Sequence, residues 1–304
     1  MKVLIAAVKD YANMGNILKK CLINVGIDAK FYTEMHTIRL KKGESLNKNQ
    51  AIEFGNKCDI IQFMHSNRAN LPINLKRKKV IVYHGGTIYR QRSEEMCKLW
   101  NPIVDCSLIQ TYDLYGLGAK NEIWLLPPID TDKILPKYNT KGQKIIIGHY
   151  PSSPIAKGSD KIQNIIDSIR GEVPDFDYRY SSKRVNWETQ IQRVSDVDIY
   201  IELMRLKQKN KQYGHWGMSG LEAAALGKIV ITNFYGHKEY EKTYGLCALQ
   251  VANSEKEMRK KLITLLSMSK EELLDLKVKS RRWTEKYHSY KIVGNKLRKI
   301  YEKL

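Results

Sequence analysis

The residues best suited by type and spacing to do chemistry lie in one stretch, Tyr213-Gly-His-Trp-Gly-Met-Ser-Gly-Leu-Glu-Ala-Ala-Ala-Leu-Gly-Lys-Ile-Val-Ile-Thr-Asn233. It reads as a Gly-rich loop, a short helix and a buried strand. Gly214, Gly217 and Gly220 permit tight turns and close approach of a ligand to the backbone. Ser219 is placed to N-cap the helix. Leu221 to Leu226 are helix formers, and Gly227 is placed to end it. A helix N-terminus fed by such a loop offers free N–H groups and a positive dipole end, which suits a phosphate. Glu222, expected in the first turn, could accept a pair of ribose hydroxyls or simply complement the dipole.

A second candidate anion site is His149-Tyr-Pro-Ser-Ser-Pro-Ile-Ala-Lys-Gly-Ser-Asp160, where Lys157 precedes Gly158 at a loop-to-helix junction. Two histidines follow apolar strands, His65 after Asp59–Phe63 and His84 after Lys79–Tyr83. In open α/β sheets the carboxyl ends of strands hold the ligand site. Gly85, Gly86 and Thr87 follow His84, and Arg90 is the nearby cation, free to pair with Glu94 or Glu95.

These residues need a parallel sheet to position them. Val3–Val8, Asp28–Tyr32, Asp59–Phe63, Lys79–Tyr83, Asp105–Ile109 and Glu122–Leu126 read as strands of a first βαβ series. Lys144–Gly148, Asp177–Tyr180, Val197–Ile201, Lys228–Thr232 and Leu246–Val251 read as strands of a second. Helices are expected from Glu255 to Leu266, after a capping box at Ser269–Glu272, and from His288 to Leu304. G-x-G-x-x-G is absent, so no dinucleotide fingerprint is present.

Three segments in order resemble retaining glycosyltransferases of the GT-B fold, glycosyltransferase family 4 above all. Gly217-Met-Ser-Gly-Leu-Glu-Ala-Ala-Ala-Leu-Gly-Lys-Ile-Val230 resembles the donor-nucleotide motif. His149–Asp160 resembles the phosphate loop, and Val82-Tyr-His-Gly-Gly-Thr-Ile-Tyr-Arg90 the acceptor-side strand end. The resemblance implies two Rossmann-like domains facing each other across a cleft. The first is the acceptor-side domain, residues 1–130, with the helix 288–304 crossing back onto it. A linker, 131–143, leads to a nucleotide-sugar donor domain, 144–287.

By the same resemblance His84 and Glu222 are the catalytic pair. Lys157, Gly158, Ser152, Ser153, Gly217, Met218, Ser219 and Gly220 hold donor and phosphate. Gly15, Asn16, His65, Gly85, Gly86, Thr87, Arg90 and His215 line the donor/acceptor cleft. The implied activity moves a sugar from a UDP- or GDP-linked donor, with retention and without a metal or other cofactor, to a hydroxyl acceptor. That acceptor is a glycan, a lipid-linked glycan or a hydroxylated base in DNA.

The chain departs from the family at three places. The opening loop has one glycine, Gly15, where two are usual. The carboxylate normally found eight residues before Glu222 is Gly214, which leaves three options: His215 or Trp216 substitutes, donor choice is altered, or activity is lost. The Arg expected three residues before Lys157 is Pro154, so the second cation comes from elsewhere, with Lys207, Lys209 and Lys211 as candidates, or is missing. The alternative function is therefore a degenerate GT-B scaffold that binds sugar nucleotides or polyanions.

The 52 Lys and Arg against 32 Asp and Glu give a net charge of +20, which favours an acidic partner: sugar diphosphate, nucleic acid or anionic membrane. Lys76-Arg-Lys-Lys79 is one cluster, and Ser254–Leu304 carries 15 basic against 7 acidic residues. The five cysteines show no C-x-x-C, so neither zinc site nor disulfide framework is expected. Met1–Val8 reads as a first strand, with no signal peptide and no membrane span. The expected location is cytoplasmic, with peripheral contact at an anionic membrane as a second option. The triplets Asp130-Thr-Asp132, Asp175-Phe-Asp177 and Asp196-Val-Asp198 are read as turn or strand-edge features and not as a metal site.

Overall fold

The computed structural model describes residues 1–35, 40–41, 43–138, 144–208 and 211–304. The chain divides into two compact units, Met1–Pro128 with His288–Leu304, and Ile129–Tyr287.

The first unit runs β1 (Lys2–Lys9), α1 (Met14–Asn24), β2 (Asp28–Met35), α2 (Lys48–Lys57), β3 (Ile60–Met64), β4 (Lys79–His84), α3 (Thr87–Gln91), α4 (Ser93–Trp100), β5 (Cys106–Ile109) and β6 (Glu122–Trp124). Its sheet has the order β2-β1-β3-β4-β5-β6, and every pairing is parallel. Val3 to Ala7 and Ile60 to Met64 are buried without a break. That continuous burial is why these strands read as apolar runs rather than alternating patterns.

The second unit runs β7 (Ile145–His149), α5 (Pro154–Lys157), α6 (Ser159–Ile169), β8 (Phe176–Tyr180), α7 (Trp187–Ser195), β9 (Ile199–Leu203), β10 (Lys207–Gln208), β11 (Lys211–Gln212), α8 (Met218–Ala225), β12 (Ile229–Thr232), α9 (His237–Tyr244), β13 (Gln250–Val251), α10 (Glu255–Leu266) and α11 (Lys270–His288). Its parallel sheet has the order β13-β12-β9-β7-β8. The strand expected over Leu246–Val251 is confined to Gln250–Val251.

The last helix, α12 (Tyr290–Tyr301), belongs to the first unit and packs on α1. Gly294 allows the approach: a Cβ there would fall 2.3 Å from Cys21 O. Tyr301 Oη donates to Gln62 Oε1 at 2.5 Å, and Lys296 Nζ to Trp124 O at 3.0 Å.

Of the expected linker 131–143, residues 139–143, which include Asn139 and Gly142, lie outside the described residues. Residues 131–138 pack within the second unit. The Arg281 guanidinium donates to Ile134 O, Thr131 O and Ala225 O, so one cation binds this segment and the last helical carbonyl of α8. Such a cation at a helix C-terminus is doubly favourable.

Lys228, beneath the same segment, is fully buried and donates to Lys137 O. Burial pushes its pKa down to about 8, and Lys277 adds to the shift. The unfolded chain keeps this proton to higher pH than the folded one. The folding cost is therefore fully present at pH 7 and fades as pH rises from about 8 towards 10. Lys228→Met is expected to stabilise the fold by about 3 kcal/mol at pH 7, before the lost bond to Lys137 is subtracted. Urea unfolding of both proteins at pH 7 and 9.5 checks this. The gap must shrink at the higher pH, and a constant gap contradicts the assignment.

Candidate functional site

In the second unit, β7 ends at His149 and the chain turns through Ser152 and Ser153, both exposed. Pro154 occupies the first turn of α5, where its missing N–H costs nothing. Ser153 precedes it without a side-chain capping bond. Lys157 ends α5, and Gly158 follows at φ 67°. A Cβ at Gly158 would fall 2.1 Å from Met204 O, so only glycine fits. Met204 N donates to Lys157 O at 2.9 Å, which fastens this junction to the end of β9. His149 is spent on structure, with Nδ1 2.8 Å from Ile201 O and Nε2 2.8 Å from Ser159 Oγ.

The Lys157 ammonium is ion-paired with Glu202 on β9, whose carboxylate is fully buried. Burial opposes the charge on Lys157, but Glu202 outweighs it and raises the lysine pKa above its ordinary value. The same carboxylate accepts from Gly217 N at 3.2 Å and from Ser219 Oγ at 2.8 Å. Lys157, Gly217 and Ser219 therefore converge on one point at the N-terminus of α8.

The N-cap of α8 is Gly217, not Ser219, whose hydroxyl is turned to Glu202. Met218 is the first helical residue and is half-buried. Neither Gly217 nor Gly220 has a positive φ. They are small because Glu202 occupies the space a side chain would take: a Cβ at Gly217 would lie 2.7 Å from its Oε1, and one at Gly220 3.3 Å from its Cγ.

Glu222 is the fifth residue of α8, one turn in rather than in the first turn. It is 3% exposed, and its Oε1 accepts from Trp187 Nε1 at 2.9 Å. Gly214, where the carboxylate is missing, has φ 151°, and a Cβ there would meet Asn233 Nδ2 at 2.1 Å. Asn233 bridges Arg205 and Tyr213 through both ends of its amide, so no side chain fits at 214. His215 is buried against Trp216, with ring centroids 4.1 Å apart and Nδ1 2.8 Å from Trp216 O. Of the candidate second cations, Lys209 lies outside the described residues, while Lys207 and Lys211 are exposed on the hairpin β10–β11. Two arginines meet the loop His149–Asp160: Arg205 donates to Ile155 O, and the Arg193 guanidinium lies 4.8 Å from the centre of the Tyr150 ring.

In the first unit the candidates gather at the carboxyl edge of the sheet. Asp10, just past β1, accepts from Gly15 N at 2.8 Å and Asn16 N at 3.2 Å, so it caps α1 from five residues away. Gly15 lies inside α1 and not in the loop, with its Cα face against Phe31. His65 Nε2 lies 3.1 Å from both Asp10 Oδ1 and Tyr11 N. Ala12, Asn13, His65 and Ser66 all adopt positive φ, a cluster of backbone strain of the kind that collects at functional edges.

His84 ends β4 fully buried, its Nδ1 2.8 Å from Ser66 Oγ and its ring stacked on Tyr89 at 4.0 Å. Burial pushes its pKa down to about 3, so the ring is neutral at physiological pH. Its Nε2 is buried without a hydrogen-bond partner among the described residues. A neutral imidazole with one unspent nitrogen suits a hydroxyl, and is too weak a base to take a proton at neutral pH. Gly85 is small because a Cβ would lie 2.5 Å from Gln110 Oε1. Gly86, at φ 80°, caps α3, which Thr87 opens. Arg90 pairs with buried Asp113 at 2.7 Å, not with Glu94 or Glu95.

The cluster Lys76–Lys79 lies at the opposite edge of this sheet from His84, because β4 runs from Lys79 to His84. Five strand steps separate the two ends by about 17 Å. Lys78 is spent on Asn56 O and Cys58 O, and Lys79 on Asp105. Five of the six Asp-x-Asp carboxylates are paired, Asp130 with Lys133, Asp175 with Lys144, Asp177 with Arg179, Asp196 with Lys137 and Asp198 with Lys277, and the sixth, Asp132, is exposed.

Glu202, Trp187, Arg205, Asp10 and Asp113 were not singled out from the sequence. Glu202 carried a readable signal, a lone acid in the apolar strand Ile199–Leu203, since a buried carboxylate requires a partner. The others depend on contacts between distant segments.

The two parallel Rossmann-like sheets, in this order and with the C-terminal helix returned to the first, define the GT-B fold. Solved structures agree over the whole chain. One is an alpha-glucosyltransferase, AGT, in complex with UDP, with a TM-score of 0.69 at 13% identity, covering 99% of this chain and 100% of that one. An alpha-glucosyltransferase with UDP and a 13-mer DNA containing a central A:G mismatch gives 0.61 at 15% identity, covering 99% and 100%. Anabaena HepE with UDP-glucose gives 0.64 at 9% identity, covering 100% of both chains. The lipopolysaccharide outer core galactosyltransferase WaaB gives 0.60 at 11% identity, again covering 100% of both. No family model and no curated protein matches the sequence. Among the described residues no helix is long and apolar enough to cross a membrane.

Proposed function

We propose that this chain is a glycosyltransferase that moves a sugar from a nucleoside diphosphate sugar, UDP-linked in the first instance, onto a hydroxyl with retention of configuration. The observation that carries this reading is the convergence of the Lys157 ammonium, the Gly217 N–H and the Ser219 hydroxyl on the Glu202 carboxylate at the N-terminus of α8, a set of donors that a phosphate oxygen would share or take over, with the Glu222 carboxylate one turn on. Donors fixed where a diphosphate departs stabilise the charge that develops on it. In the reaction the acceptor oxygen bonds the anomeric carbon as the bond to the diphosphate breaks, and the acceptor proton leaves with the diphosphate. His84 offers its spare ring nitrogen to a sugar or acceptor hydroxyl. The solved neighbours that carry UDP or UDP-glucose support the donor class.

The acceptor proposed is DNA bearing a hydroxylated base. The net charge of +20 supports it, as does the alpha-glucosyltransferase structure that contains DNA. A base inside a duplex must be flipped out to be reached. The phosphate contacts are assigned to basic residues other than Lys76–Lys79, which sit at the wrong edge of their sheet. Incubation with radiolabelled UDP-glucose and DNA with or without hydroxymethylated pyrimidines tests the acceptor: label in the modified DNA alone supports it. Label confined to glycan or lipid fractions contradicts it and favours a glycan acceptor, the chemistry of WaaB. Transfer is expected to persist in excess chelator, because cations and N–H dipoles do the work a metal would do. Full loss with rescue by Mn²⁺ would reverse that expectation.

A further inference from the structure

Glu202 takes up the three donors that a phosphate oxygen would use. Its carboxylate, 1% exposed at the end of β9, is ion-paired with Lys157 and accepts from the Gly217 N–H at 3.2 Å and the Ser219 hydroxyl at 2.8 Å. An ammonium, a backbone N–H at a helix N-terminus and a hydroxyl form a typical phosphate-binding set. Gly217 and Gly220 both lack side chains where Glu202 fills the space, so the carboxylate is built into the site rather than resting in it.

We infer that Glu202 is the specificity-determining residue of the donor site, a resident anion that keeps the empty phosphate cradle formed and sets its affinity for the diphosphate. The inference rests on the donor reading above. Without this carboxylate, Lys157 would face α8 as an uncompensated cation, and a nucleoside diphosphate would bind tightly as substrate and as product. With it, the charge of Lys157 is already balanced. The diphosphate gains only the surplus supplied by the helix N-terminus and by Arg205, which reaches the same loop at Ile155 O. Weak retention of the leaving nucleotide favours turnover where product release limits the rate. Glu202 touches no reacting atom in this scheme, and its effect passes through Lys157.

Glu202→Gln keeps the shape and a carbonyl acceptor for Lys157 and Gly217, and removes only the charge. By calorimetry, UDP is expected to bind Glu202→Gln at least tenfold more tightly than wild type, because a unit charge a few ångströms from a dianion is worth that much even in a well-screened site. Uridine, which carries no phosphate, is expected to bind both within about twofold, since a neutral ligand feels little of that field. The double variant Lys157→Ala/Glu202→Gln should lose the gain. UDP binding equal to or weaker than wild type in a folded Glu202→Gln overturns the inference alone. Binding of UDP by neither protein overturns the donor reading and the inference with it. Should the variant not fold, a structure of wild type with UDP decides. A diphosphate oxygen bonded to Lys157 Nζ, Gly217 N or Ser219 Oγ supports the inference, and a diphosphate that touches none of the three contradicts it.

Discussion

Glu222→Gln is expected to lower sugar transfer at least 100-fold while leaving the protein folded. Glu222 is buried on α8 and held by the Trp187 indole at 2.9 Å. The amide keeps an oxygen for that indole, so the local packing survives. In the role proposed for Glu222, what it loses is a charged acceptor for two ribose hydroxyls. Hydrogen bonds to a charged group are worth about 1.5–3 kcal/mol each, so two of them account for a factor of 100 or more. Steady-state kinetics with a saturable donor checks this, with circular dichroism to confirm the fold. A variant with wild-type kcat/KM removes Glu222 from the site. Trp187→Phe is a milder form of the same test: the carboxylate remains but is no longer aimed, and KM for the donor should rise more than kcat falls.

Gly158→Ala is expected to cost about 3–5 kcal/mol of stability, the range reserved for a named steric fault. At φ 67° an alanine is already strained, and its Cβ would sit 2.1 Å from Met204 O and 2.8 Å from Met204 C. Those are backbone atoms of the segment that fastens Lys157 to β9, and they cannot turn aside as a side chain would. The substitution must therefore displace the loop, with loss of nucleotide binding in whatever fraction still folds. Urea unfolding measures the first effect and UDP titration the second. A stable variant that binds UDP normally would show that the junction tolerates a shift the packing forbids.

Much of the fold was legible because a parallel sheet buried on both faces leaves unbroken apolar runs such as Val3–Val8 and Lys79–Tyr83. The capping box at Ser269 was legible for the same local reason, and its two reciprocal bonds are present. The site was legible in part. Lys157, Gly217, Ser219 and Glu222 were readable as residue types in a loop-helix pattern, yet their partners were not. Glu202 lies 45 residues from Lys157, and Trp187 lies 35 from Glu222. No periodicity links them, because what joins them is the order β12-β9-β7 in the sheet. The glycines are ambiguous for an instructive reason. A glycine announces that something comes close, but not whether it is a ligand or, as at Gly217 and Gly220, a neighbouring carboxylate.

The central claim, a donor site for a nucleoside diphosphate sugar in the second unit, is tested most directly by the melting temperature of the wild-type protein with UDP-, GDP-, ADP- and CMP-sugars. A ligand bound only by the native state raises it by mass action, by about 2.7 kcal/mol of stability at 100 times its Kd. One nucleoside diphosphate sugar, the UDP-linked one first, is expected to raise the melting temperature in proportion to the logarithm of its concentration. No shift with any of the four, in a protein that DNA or anionic lipid does stabilise, would contradict the claim and leave a polyanion-binding scaffold in its place.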